Sequence, residues 1–165
     1  MNKKFNVDEF KEIAEKLPNF ETLPKEGKYR TAIGRYYYSI FLTLREIIWD
    51  IDKREELEKY YTSGLVHKII RIYLYKLSKI IKSQELMEIS NMLYNLHNLR
   101  KLSDYNIIHK ITIKEVNDAK EYANKIQYLL NIVEFQNVKG FENILRHLKK
   151  IGEREGDKYK YFPKI

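Results

Sequence analysis

Apolar side chains recur every three to four residues along almost the whole chain, and that period limits the fold to packed helices. Ala32, Tyr36 or Tyr37, Ile40, Phe41, Leu44 and Ile48 keep the spacing over Lys25–Ile51. Leu65, Ile69, Ile72, Tyr73 and Ile80 form one stripe over Gly64–Lys82, and Val66, Ile70, Leu74, Leu77 and Ile81 form a second. Two stripes give a wide apolar surface, more than one small bundle needs to bury, and predict a homodimer. Leu86, Ile89, Leu93 and Leu96 mark a helix from Ser83 to about Tyr105. Val116, Ala119, Ala123, Ile126, Leu130 and Val133 mark the next one.

The punctuation agrees with this reading. Asn6-Val7-Asp8-Glu9 and Thr112-Ile113-Lys114-Glu115 have the pattern of capping boxes, in which an acid three residues on reaches back to the capping residue. Ser63 stands where a cap for the third helix is needed. The first helix ends before Pro18, a loop holds Pro18 and Pro24, and Asp52–Thr62 is a charged connection, a linker or a short exposed helix. A last helix is predicted over Val138–Ile151, followed by a loosely ordered basic tail over 152–165. No segment alternates as a strand would. The expected architecture is all-α, an up-and-down bundle of four to five main helices plus a short C-terminal one, in a single domain with its core in 29–135.

Composition narrows the chemistry. There are no cysteines among the 165 residues, which removes disulfides and thiolate metal sites. The four histidines are scattered, with no ligand spacing, so neither metal nor cofactor is expected. The first residues are charged and no run of about 18 apolar residues exists, so the expectation is a cytoplasmic protein with no membrane span. The formal charge of +8 favours an anionic partner, RNA or a nucleotide.

One stretch concentrates reactive groups. Leu96-His97-Asn98-Leu99-Arg100-Lys101-Leu102-Ser103-Asp104-Tyr105 places His97, Arg100 and Asp104 three and four residues apart, on one helix face. An arginine held by a carboxylate presents a fixed fork to phosphate. An ordinary surface pair has the same spacing. Tyr36, Tyr37 and Tyr38 point in three directions, so at least one enters the core and another is available to stack on a base.

Three blocks in order resemble the HEPN superfamily (higher eukaryote and prokaryote nucleotide-binding), in particular its small stand-alone archaeal and bacterial members. Arg35-Tyr36-Tyr37-Tyr38-Ser39-Ile40-Phe41 is similar to its Arg-Ala-Tyr-Tyr-Ala-Met-Phe helix. Gly64-Leu65-Val66-His67-Lys68-Ile69-Ile70 is similar to its block with a His before an apolar run. Leu99-Arg100-Lys101-Leu102-Ser103-Asp104-Tyr105 is similar to its Leu-Arg-x-x-Ala-Asp-Tyr block, with Ser103 in place of Ala. The likeness runs from about Tyr29 to Phe135.

The resemblance implies a helical bundle, often dimeric, acting on RNA as a metal-independent toxin or defence ribonuclease. It implies catalytic roles for Arg100, Asp104, Tyr105 and His97, and substrate binding by Arg35, Tyr37 and His67. It also implies a possible nucleotidyltransferase antitoxin that modifies a Tyr near the motif. Family ribonucleases carry His a few residues after the motif Arg. Here Tyr105 holds that position and the next His is His109. That departure keeps open a non-catalytic module binding nucleotide, RNA or a partner protein, and beyond it a plain helical interaction protein.

Overall fold

The computed structural model describes residues 5–51, 60 and 63–133. The fold is an all-α helical bundle, with five α-helices and no strand among the described residues. They are α1 (Asp8–Lys16), α2 (Lys25–Ile51), α3 (Val66–Ile81), α4 (Gln84–Tyr105) and α5 (Ile113–Ile132), with a 3-10 turn at Leu17–Asn19 after α1. The predicted last helix and tail, and nearly all of the charged connection after α2, lie outside the described residues.

Local chemistry sets most of the boundaries. At α5 the predicted capping box is present. The Thr112 amide and hydroxyl both donate to Glu115 Oε2, and the Lys114 amide donates to Thr112 Oγ1. At α4 the Leu86 amide donates to Ser83 Oγ. At α1 the expected reciprocal box is replaced by a simpler turn, because the Asp8 amide donates to Asn6 Oδ1 while Val7 takes the capping position. The third helix starts at Val66, two residues after the predicted Gly64, since Ser63 Oγ accepts from the Leu65 amide and leaves 63–65 in the turn. It ends where Lys82 adopts a left-handed conformation, φ 56°, and the Ser83 amide donates to the Ser78 carbonyl.

Backbone contacts group the chain into two compact units. The first comprises residues 1–43 and 92–128, hence α1, most of α2, the second half of α4 and most of α5. Its buried side chains include Ala14, Tyr29, Ala32, Ile33, Tyr36, Tyr37, Ile40, Leu96, Ile111, Val116, Ala119 and Ile126. The small residues Ala32, Ala119 and Ala123 are fully buried.

The second unit comprises residues 44–91 and 129–165, and its described core holds Leu44, Ile48, Ile70, Tyr73, Leu74, Leu77, Leu86 and Ile89. Members of both α3 stripes are buried within the single chain: Val66, Ile69, Ile70, Ile72, Tyr73, Leu74 and Leu77. Leu65 and Ile81 are half-buried, so most of the described part of both stripes is covered within the chain. The most exposed large apolar residues among those described are Ile107 at 87% and Ile108 at 93%, in the loop between α4 and α5.

Candidate functional site

The end of α4 and the middle of α2 meet in the first unit where Gly34 faces Asp104. A Cβ on Gly34 would lie 3.8 Å from Asp104 Oδ1, so this approach leaves room for little more than a methyl group. Arg100 sits one turn before Asp104, and its guanidinium is the centre of the cluster. Nε lies 2.8 Å from Asp104 Oδ2, an ion pair in which the N–H is not aimed squarely at the oxygen. Nη1 donates to the Tyr105 hydroxyl at 3.0 Å and Nη2 to the Tyr38 hydroxyl at 3.1 Å. The same group lies over both rings, 5.0 Å from the centre of Tyr105 and 5.6 Å from that of Tyr38. Burial opposes the charge on Arg100, but Tyr105, Tyr38 and Asp104 together outweigh it and raise the pKa.

Arg35 joins this cluster through aromatic faces. Its guanidinium carbon is 4.8 Å from the Phe10 ring centre and 5.9 Å from that of Tyr38. Among the described residues Arg35 has no carboxylate partner, in contrast to Arg100. Tyr38 is thus shared by two cations, and α1 reaches the cluster through Phe10.

The other predicted residues divide. Tyr105 is 68% exposed, beside a shallow depression that it lines with Asn98, Lys101, Leu102 and Asn106–Ile108. Tyr37 does not offer a face to substrate. It is 1% exposed and stacks on Phe41 at 5.6 Å and on His97 at 5.2 Å, and burial pushes its hydroxyl pKa up. Tyr36 is equally buried and is pushed up to about 12, also by burial. The outward member of the three is Tyr38. His97 is half-buried against Tyr37, and among the described residues no imidazole is a hydrogen-bond, ion-pair or ring partner of Arg100. His67 belongs to the first turn of α3 in the second unit and is half-buried there. His109 lies in the loop, its Nε2 3.6 Å from Glu115 Oε1.

Two residues with a structural claim on the site, Arg30 and Glu26, carry no sequence signal beyond an ordinary i, i+4 pair. Arg30 Nη1 donates to the carbonyls of Ser103 and Asn106, and Nη2 to that of His109. Nε and Nη2 also donate to Glu26 Oε1, which in turn accepts from the Ile111 amide. A guanidinium placed on the open carbonyls of a helix C-terminus satisfies them and complements the helix dipole. Arg30 thereby fixes the end of α4, where Tyr105 is mounted, and the loop beyond. Arg30 lowers the Glu26 pKa first, helped by the Ile111 amide.

Among the described residues no group of three or more His, Cys, Asp or Glu side chains is placed to hold a metal ion, and no helix is long and apolar enough to cross a membrane.

The bundle and its Arg–Asp–Tyr cluster are the features to set beside other proteins. The chain is similar to the uncharacterized protein MJ0992 of Methanocaldococcus jannaschii, 40% identical over 157 residues, which covers 88% of this chain and 89% of the relative. It is also similar to the uncharacterized protein MJ0628 of the same organism, 32% identical over 161 residues, covering 92% and 96%. The chain belongs to one family with these two archaeal proteins. No family model matches it, and no solved structure matches it.

Proposed function

We propose that this chain is a HEPN-type protein that acts on single-stranded RNA through the Arg100 cluster, as a metal-independent ribonuclease. The observation that carries the reading is the fixation of Arg100. Its Nε faces a carboxylate and each Nη spends one N–H on a tyrosine hydroxyl, which leaves one N–H on each Nη for a phosphate. A charge of +8 supports an anionic ligand. In the reaction the ribose 2′-hydroxyl oxygen attacks the adjacent phosphorus and gives up its proton. The bond from phosphorus to the 5′ oxygen breaks, and that oxygen takes a proton. The products are a 2′,3′-cyclic phosphate and a 5′-hydroxyl. Arg100 stabilises the charge that builds on the phosphoryl oxygens, and Asp104 orients Arg100. Tyr105 and Tyr38 are the proton-carrying groups in contact with it, of which Tyr105 is the exposed one and takes the role, with His97 the second candidate. The exposure of Tyr105 also leaves its hydroxyl side reachable by a modifying nucleotidyltransferase partner, as the resemblance implies.

A second reading rests on a specific observation. His97 is stacked on the buried Tyr37, and among the described residues the hydrogen-bond, ion-pair and ring partners of Arg100 include no imidazole. A module that binds RNA without cutting it has the same cluster and needs no base. One assay separates the two. Labelled RNA is incubated in EDTA with wild type, Arg100→Ala, Tyr105→Phe and His97→Ala. The ribonuclease reading predicts cleavage by wild type and a loss of roughly 10²–10³-fold in Arg100→Ala, the usual cost of removing one charge-stabilising donor. Wild type that binds RNA and never cuts it selects the non-catalytic module.

A further inference from the structure

Five side chains from three helices alternate between ring and cation: Phe10 of α1, Arg35 and Tyr38 of α2, Arg100 and Tyr105 of α4. The successive separations are 4.8 Å, 5.9 Å, 5.6 Å and 5.0 Å between guanidinium carbon and ring centre. Phe5, half exposed, extends the row with its ring centre 5.0 Å from that of Phe10. Two guanidinium groups converge on one tyrosine, and only one of them is neutralised by a carboxylate.

The arrangement differs from a structural salt-bridge network in what it leaves open. Ring faces hold Arg35, so its N–H edges are uncommitted among the described residues. A cation held by stacking is oriented without being discharged, which suits it to a phosphate. At the far end Tyr105 is 68% exposed beside the depression lined by Asn98, Lys101 and Leu102. A nucleobase has a π-face whatever its identity, and an exposed ring next to a mostly apolar depression gives it a seat.

We infer that this row is a track for an unpaired polyribonucleotide: one base stacks on Tyr105, one backbone phosphate sits at Arg100, and a neighbouring phosphate is held by Arg35. The inference rests on the RNA reading above and extends it in three ways. The ligand spans more than one nucleotide, α1 belongs to the site through Phe10, and Arg35 is a binding residue distinct from the chemistry at Arg100. A duplex does not fit, because its bases are paired and stacked inside the helix.

The test uses fluorescence anisotropy with the full chain and two labelled probes: a single-stranded RNA octamer and the same backbone with abasic positions throughout. Measured against Tyr105→Phe, which already lacks the hydroxyl that bonds Arg100, Tyr105→Leu weakens binding of the intact octamer by a further factor of roughly 5–150, the usual range for one stacked base, and adds little to any loss on the abasic probe. Arg35→Gln flattens the dependence of log affinity on log salt by about 0.7, the value for one phosphate contact on a single strand. Arg35→Lys restores the slope because it restores the charge. Circular dichroism confirms that each variant is folded. Equal further loss on both probes in Tyr105→Leu, or an unchanged slope in Arg35→Gln, overturns the track while leaving RNA binding in place. Failure of the wild type to bind the octamer at low salt overturns the RNA reading itself, and the track with it.

Discussion

Arg100 has five N–H groups, and their allocation decides what the side chain can do. With two committed to phenols and Nε ion-paired to a carboxylate without a directed hydrogen bond, the group is oriented and stays cationic. The Arg100–Asp104 pair was legible in the sequence because both residues lie on one helix, at a spacing that fixes their contact. Tyr38 was not, since neighbouring helical positions differ by about 100° and the phase of α2 against the core selects the outward one. Tyr36 and Tyr37 fill the core instead. Arg35 was legible as a cation near the tyrosines, but its support by Phe10 joins residues 25 positions apart. Glu115 gives a prediction at this scale. The Thr112 hydroxyl, helped by its amide and opposed by burial, holds the Glu115 carboxyl down to about 2. A carboxyl lowered by folding contributes stability that is complete above its ordinary pKa near 4.5 and lost as the pH falls toward 2. Glu115→Gln should flatten the pH dependence of Tm between about pH 4.5 and 2. An unchanged profile in acid melts would show that the box contributes nothing there.

Helix boundaries were readable where a local side chain sets them. Thr112 with Glu115 and Ser83 before α4 are contacts within three residues. The end of α4 was readable only in position, because its anchor is Arg30, more than 70 residues away in sequence. Arg30→Ala takes the guanidinium from the carbonyls of Ser103, Asn106 and His109, the last two open to water, and should cost about 1 kcal/mol. The loss should be local. Hydrogen exchange should quicken at 102–111 while the core of α2 around Ile33 and Ile40 stays protected. Arg30→Lys should recover only part of it, because an ammonium lacks the planar fork that reaches three carbonyls at once. Uniform acceleration over the whole chain would mean that Arg30 supports the bundle rather than the loop and Tyr105.

At the scale of the molecule, the apolar period fixed the fold class, an all-α bundle. The division into two compact units was not legible, because its boundaries fall inside α2, α4 and α5. Self-association remains a proposal, and its surface moves from α3 to Ile107 and Ile108, two and three residues beyond Tyr105. Arg30 and the Asn106 side chain hold this loop, and Asn106 Oδ1 accepts from the amides of Ile108 and His109. A second copy covering the pair removes both side chains from water at little ordering cost. Two copies of charge +8 repel, so sedimentation should show the dimer tightening as salt rises, and Ile108→Ser should weaken it. A monomer at every salt concentration would reject that surface.

Ile107 and Ile108 line the depression beside Tyr105, so the two associations compete for it, and their opposite salt responses distinguish them in one buffer series. The most direct test of the central claim is a nitrogen-resolved NMR titration of the arginine side chains with a short single-stranded RNA, with Arg100→Lys used to assign the signal. The account predicts that the Arg100 resonance shifts progressively and saturates with the same Kd that anisotropy gives for the octamer. RNA that binds while the Arg100 signal stays unmoved would place the interaction elsewhere on the chain and contradict the account.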